Sequence, residues 1–131
     1  MGDKNSLPDT VREITRGEGV STVIELTGNP DVASLSLNLL KVSGKLVLVA
    51  YGAGSSFHVN TLMMVSREIE IYGARWCGRE ELRECVELVS EEKIRPYISE
   101  VHPLNEVNSV LKRLEAGKIL GRAVLVPKKD R

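Results

Sequence analysis

The chain has 131 residues, enough for one domain with a modest core, and 42% of them are hydrophobic. Lysine and arginine number 18, as do aspartate and glutamate, so the formal net charge is zero. This balance argues against a general affinity for nucleic acid or for an anionic membrane. No apolar run is long enough to span a membrane, and no secretory signal precedes Leu7. We therefore expect a cytoplasmic protein.

The first half of the chain predicts alternating helices and strands. Residues 8–16 have the pattern of a short helix, and the apolar run over residues 20–26 predicts a buried strand. Asn29 stands where an N-cap is expected, with Pro30 at the first helical position. The apolar spacing then continues through Leu40 and Val42, so the helix is expected to end at Gly44. Residues 46–50 predict the next strand, which gives a right-handed βαβ crossover in a parallel sheet.

The second half continues the same alternation. Asn60 is expected to cap a short helix, and residues 68–72 predict a third strand that Gly73 ends. Further along, the pattern predicts helices over residues 78–93 and 104–116 and strands over residues 98–102 and 122–126. Leu82, Cys85, Val86 and Val89 form the apolar face of the first of these helices.

Several short motifs, taken in order, carry a family resemblance. They are Glu25 to Gly28 at the end of a strand, Gly52 after the next strand, residues 67–73 ending at Gly73, Arg79, residues 93–96, residues 103–108, and the closing set Gly117, Lys118, Gly121, Arg122 and Val124. In this order and spacing the chain resembles the C-terminal portion of the medium-chain, zinc-type alcohol dehydrogenases over residues 8–127.

The resemblance implies an α/β fold containing the three-stranded parallel half of a Rossmann-type sheet flanked by helices. Residues 8–75 would form the second half of a nucleotide-binding domain, and residues 76–131 a small C-terminal βαβ portion. The implied cofactor is NAD or NADP, contacted by Gly28, Gly52, Gly73 and Arg122. Strand-end turns and a surface arginine remain the alternative interpretation of these residues.

Two features of the family are missing from this sequence. No G-x-G-x-x-G turn is available to hold a pyrophosphate at a helix N-terminus. Cys77, Cys85, His58 and His102 show no metal-ligand spacing, so zinc is not expected. The two cysteines are expected to be free thiols, and Ser55, Ser56 and His58 are expected to form a polar loop without catalytic function. No catalytic residue is therefore predicted.

Three hypotheses about function follow. The chain is the C-terminal part of a split or truncated dehydrogenase, inactive alone, with a separate N-terminal chain as partner. Alternatively, it is a non-catalytic dimeric scaffold, or a stand-alone binder of a nucleotide or a small acid. Since the predicted strands 20–26 and 68–72 lie at the edges of the sheet, we expect homo-oligomers joined through an exposed edge.

Overall fold

The computed structural model describes residues 6–127, which divide into two compact units on either side of the Trp76–Cys77 bond. The first unit contains α1 (Leu7–Ile14), β1 (Val20–Glu25), α2 (Pro30–Leu39), β2 (Leu40–Leu48), α3 (Thr61–Arg67) and β3 (Glu70–Gly73). Its three strands form one parallel sheet in the order β1-β2-β3. This arrangement confirms the predicted α/β class and its three-stranded parallel sheet.

The second unit is a smaller α/β assembly. It contains α4 (Arg79–Ser90), β4 (Ile98–Pro103), a 3-10 turn (Leu104–Glu106), α5 (Val107–Glu115) and β5 (Arg122–Val126). The strands β4 and β5 pair in parallel, with α5 in the connection between them, which confirms the predicted C-terminal βαβ portion. The apolar face predicted for α4 is present, but Leu82, Val86 and Val89 all remain exposed to solvent.

The core of the first unit is centred on β2. Leu40 and Leu46 of this strand are completely buried, and they pack with Leu37 of α2 and Ile69, which precedes β3. Partly buried side chains surround this cluster, among them Val23 of β1 and Met64 of α3. The apolar side chains from both helices and all three strands therefore meet on the central strand, as expected for a sheet with helices packed on it.

The N-termini of α2 and α3 are fixed by the predicted asparagine caps. The side chain of Asn29 accepts hydrogen bonds from the backbone N–H groups of Asp31, at 2.8 Å, and Val32, at 3.4 Å. Asn60 accepts a bond from the backbone N–H of Met63 at 3.0 Å. These hydrogen bonds confirm both predicted caps. A cap involves only residues within three positions of each other, so it can be predicted from the local sequence.

The C-terminus of α2 was predicted wrongly. The helix ends at Leu39, and Leu40 is extended and pairs with Val20 of β1. Val42 consequently lies in β2 with 59% of its surface exposed, and it does not belong to the helix face. Gly44 is required by close packing, since a Cβ there would lie 2.8 Å from the carbonyl oxygen of Lys41. Strand pairing with a distant segment thus overrides the local helical spacing.

Smaller corrections concern other element ends. Glu68 was predicted to begin the third strand, but it is the left-handed C-cap of α3, with φ 51°, and β3 begins at Glu70. Residues 104–106 form a 3-10 turn instead of the first turn of α5. Leu26 lies beyond the end of β1. These differences are of the size expected where helices and strands fray.

A charged network ties β4 to the segment that follows it. The ring of His102 lies between two carboxylates, with Nε2 at 2.9 Å from Glu100 and Nδ1 at 2.9 Å from Glu106. Arg113 of α5 binds Glu100 through two hydrogen bonds of 2.6 and 2.7 Å. The hydrogen bond to Glu100, and to a smaller extent the one to Glu106, raises the pKa of His102 above its ordinary value of 6.5.

Among the described residues, no helix is both long and apolar enough to cross a bilayer.

Replacement of Leu46 should strongly destabilise the first unit. We expect Leu46→Ala to lower the free energy of unfolding by about 2–5 kcal/mol, because it leaves a cavity in the centre of the core. Val42→Ala on the same strand is the matched control, and its exposed position predicts a change below about 0.5 kcal/mol. Chemical denaturation followed by circular dichroism measures both. Equal losses in the two variants would contradict this description of the core.

The His102 network should make the second unit sensitive to pH. Because the pKa of folded His102 is raised, its contribution to stability is complete below about 6.5 and disappears as the pH rises through the folded pKa. We therefore expect the wild-type melting temperature to fall towards that of His102→Gln as the pH increases. The melting temperature of both proteins can be measured at each pH by following the NMR signals of the β4 backbone amides on heating. A difference between the two proteins that does not vary with pH would contradict the assignment.

Candidate functional site

The carboxyl ends of the three parallel strands lie at one edge of the first unit. In the sheet register Glu25 of β1 pairs with Leu48 of β2, and Leu48 pairs with Gly73 of β3. The pairing continues one step further, since the N–H of Val49 donates to the Glu25 carbonyl at 3.0 Å and that of Ala74 donates to the Leu48 carbonyl at 2.9 Å. This edge is where open parallel sheets bind ligands, so it is the candidate site.

A buried carboxylate shapes the turn after β1. Glu25 is only 3% exposed, and its side chain accepts hydrogen bonds from the backbone N–H of Thr27 at 2.6 Å, from the Thr27 hydroxyl and from the backbone N–H of Gly28 at 3.1 Å. Burial raises the pKa of Glu25, but the hydrogen bonds from Thr27 and Gly28 outweigh it and hold the pKa below its ordinary value. The carboxylate therefore stays ionised at neutral pH.

Two of the predicted site glycines lie close together. Gly28 has a φ of +65°, and a Cβ there would lie 2.8 Å from the carbonyl carbon of Tyr51. A Cβ on Gly52 would in turn lie 3.3 Å from the Gly28 carbonyl oxygen. The turn after β1 and the loop after β2 thus approach each other so closely that only glycine fits at position 28 without displacing the backbone.

A cleft of about 120 Å³ opens between these two segments. It is lined largely by apolar atoms, and Ser55 and Ser56 lie at its loop side. The Ser55 hydroxyl donates to the Gly52 carbonyl at 2.7 Å and so closes the turn after Gly52. The walls of the cleft include Glu25, Gly28, Asn29, Pro30, Ala33, Leu48, Ala50, Tyr51 and Phe57.

The N-terminus of α2 lies beside this cleft but is not arranged to hold a phosphate. Asn29 already accepts hydrogen bonds from the first two free N–H groups of the helix, and the ionised Glu25 lies just before the turn. A second negative charge there would meet electrostatic repulsion and would find these donors occupied. The cleft accordingly suits a group that carries no negative charge.

The remaining predicted site residues lie elsewhere. Gly73 closes β3 at the same sheet edge, and nothing would lie within 4 Å of a Cβ added to it. Arg122 begins β5 in the second unit and is exposed. Its backbone N–H donates to the Tyr97 carbonyl at 2.9 Å, which fixes the main chain and leaves the guanidinium to solvent.

Three further residues of this edge were not indicated by any pattern in the sequence. Tyr51, Arg75 and Trp76, with Val49 and Ala74, line a second cavity of about 370 Å³ at the ends of β2 and β3. The only available signal was the single tryptophan of the chain, standing three positions after a strand-ending glycine.

The residues present do not fit a metal ion. Within residues 6–127 no group of three or more His, Cys, Asp and Glu side chains is arranged to hold one. Cys77 and Cys85 are free and exposed, and Arg113 engages both carboxylate oxygens of Glu100 beside His102.

Comparisons with known proteins agree with this fold. An NAD-dependent alcohol dehydrogenase of Sulfolobus acidocaldarius is 35% identical over 117 residues, which are 89% of this chain and 34% of that protein. The crystal structure of the alcohol dehydrogenase of Aeropyrum pernix superposes with a TM-score of 0.86 at 35% identity, covering 95% of this chain and 35% of that one. The crystal structure of AibC gives a TM-score of 0.88 at 27% identity, with 98% and 36% covered.

The chain thus spans about a third of the length of these relatives. The family model of the zinc-binding dehydrogenases matches residues 3–125, nearly the whole sequence. These matches confirm the resemblance that the ordered motifs indicated. The chain belongs to the zinc-binding dehydrogenase family.

Proposed function

We propose that this chain forms the nicotinamide-facing part of an NAD(P)-dependent alcohol dehydrogenase and has no turnover without the polypeptide that supplies the pyrophosphate turn and the zinc ligands. One observation carries the proposal: Gly28, Gly52 and Gly73 follow or end three adjacent parallel strands at one sheet edge. The NAD-dependent alcohol dehydrogenase of Sulfolobus acidocaldarius matches 89% of the chain, including this edge.

The first role of these residues is to let a flat group approach the backbone. The residues Gly28, Ala33 and Ala50 are small and line the cleft, so a flat group could approach the main chain at these three positions. A bound nicotinamide ring would supply a hydride acceptor or donor. The carbonyl and N–H groups of the loop after β2 would orient that ring and shield one of its faces from water.

Phosphate binding requires other groups, because the α2 N-terminus is capped by Asn29 and lies next to the ionised Glu25. Arg122 is the candidate that the family pattern supplies. Its exposed guanidinium makes no ion pair within the described residues and offers a planar set of donors to phosphate oxygens.

Acid–base and zinc chemistry would come from the complementary polypeptide. The chain's own contribution is therefore binding and orientation. The choice between NAD and NADP depends on contacts to the adenosine ribose, which the sequence of this chain does not provide.

Cofactor binding should depend on complementation. We expect titration of the pure chain with NADH to give no saturable change in NADH fluorescence at micromolar concentrations. Addition of the unmatched two-thirds of the Sulfolobus acidocaldarius relative, prepared as a separate polypeptide, should give saturable binding and alcohol oxidation. Arg122→Gln should then weaken NADH binding about tenfold, because a charged hydrogen bond to phosphate is lost.

Arg83→Gln is the matched control, since within residues 6–127 the side chain of Arg83 forms only an exposed ion pair with Glu80. Alcohol turnover by the pure chain alone would contradict the proposal. Failure of the mixture to bind NADH, although the two polypeptides associate, would contradict it as well.

A second candidate function, a dimeric scaffold, is favoured by the open edge of the sheet. β1 has β2 as its only neighbour within the described residues. Ile24 at this edge is 61% exposed, and Leu26 just beyond it is 66% exposed. An apolar edge with unpaired backbone groups promotes association with another strand. β3 forms the other open edge, and it is short and carries the charged Glu70.

Self-association should depend on the β1 edge. We expect light scattering to detect a dimer at micromolar concentrations, and we expect Ile24→Lys to shift it towards the monomer, since a lysine on an edge strand opposes strand addition. Ile14→Lys on α1 is the control, because it makes the same change at a site that is 76% exposed and outside the sheet. A monomeric wild-type chain would remove the scaffold hypothesis.

A further inference from the structure

The cavity at the ends of β2 and β3 has features of a ligand site. Its volume of about 370 Å³ is within the usual range for small-molecule pockets, and the apolar residues Val49 and Ala74 are part of its lining. Tyr51 and Trp76 line it from the two successive strand ends. Two aromatic side chains therefore stand at one small opening of the candidate edge.

Both aromatic side chains are unusually open to solvent. Tyr51 is 85% exposed and Trp76 is 87% exposed, whereas large aromatic residues normally bury most of their surface. Trp76 also has a φ of 55°, in the left-handed region that bulky residues rarely adopt. Backbone strain of this kind concentrates at functional sites, where it positions a side chain.

The cavity is also lined by one cationic side chain, that of Arg75. Arg75 is exposed, and within residues 6–127 its side chain makes no hydrogen bond or ion pair. It lies between Ala74 and Trp76 in the lining of the cavity. An anionic group would neutralise this guanidinium while aromatic faces contact the rest of the ligand.

We propose that Tyr51, Arg75 and Trp76 bind a planar aromatic anion. An aromatic ring would pack against the two side-chain rings, and its carboxylate or phosphate would accept hydrogen bonds from Arg75. The inference deepens the proposed function and rests on it for the biological role of the ligand, because the cavity shares the sheet edge with the proposed cofactor cleft. Binding itself requires only this chain.

The single tryptophan provides a direct measurement, since Trp76 is the only one in the chain. We expect benzoate and cinnamate to change Trp76 fluorescence saturably, with dissociation constants of roughly 1–10 mM for ligands of this size. Benzamide, which is planar but neutral, and cyclohexanecarboxylate, which is charged but not planar, should bind at least about threefold more weakly. AMP tests whether a nucleotide, rather than a free aromatic acid, occupies the site more tightly.

Variants separate the ring contacts from the charge. Arg75→Gln should weaken benzoate binding about three- to tenfold and leave benzamide binding unchanged. Arg16→Gln, in the segment before β1, is the matched control and should change neither. Saturation-transfer NMR on the ligand replaces fluorescence for Trp76→Phe, which should retain binding, and for Trp76→Ala, which should lose it.

Equal binding of benzoate, benzamide and cyclohexanecarboxylate would overturn the proposal, as would full binding to Trp76→Ala. A Trp76 signal that depends on protein concentration but not on ligand would also overturn it, because a second copy would then cover the cavity. NADH titration of the complemented protein is a separate measurement. Loss of NADH binding with intact benzoate binding would remove the proposed function and leave the pocket, and the reverse result would remove only the pocket.

Discussion

The carboxyl edge of the first unit depends on the buried carboxylate of Glu25. It satisfies two backbone N–H groups and one hydroxyl of the turn after β1, and the backbone carbonyl of the same residue accepts the N–H of Val49 in the segment after β2. An ionised group at 3% exposure is tolerated only because these donors replace water. By fixing the turn, Glu25 brings Gly28 against Tyr51 and thereby forms the wall of the cleft.

Features set by neighbouring residues could be predicted from the sequence, whereas features set by distant pairing could not. The caps at Asn29 and Asn60 need only the residues that follow them, and both were found. The end of α2 depends on Val20, which lies twenty positions before Leu40. Because Leu40 pairs with Val20 in the sheet, it is extended and the helix ends at the preceding residue. Apolar spacing alone describes Leu40 and Val42 equally well as helix or strand, so the long-range contact decides between them.

The candidate site shows the same division. The family resemblance of the ordered motifs indicated Gly28, Gly52 and Gly73, and these glycines follow or end the three strands. No sequence pattern connects Tyr51 with Arg75 and Trp76, since Tyr51 follows β2 and the other two residues follow β3. Only the parallel pairing of these strands brings them to one cavity. Similarly, the periodicity of α4 correctly gave an apolar face, but it contained no information about whether anything covers that face.

Charge varies along this single edge in a way that constrains how a ligand can lie on it. The β1 end carries the ionised Glu25 beside a helix N-terminus whose donors are already occupied, so it disfavours anions. The β3 end carries Arg75, whose side chain makes no ion pair within residues 6–127, in a cavity that Tyr51 and Trp76 also line, so this end attracts anions. The cleft between β1 and β2 is lined mainly by apolar atoms. A ligand that spans the edge therefore gains most when the part near Gly28 and Gly52 carries no negative charge and its anionic group lies near Arg75. This order of charge follows from Glu25, the capped N-terminus of α2 and Arg75, and it gives an anionic ligand one preferred orientation along the edge.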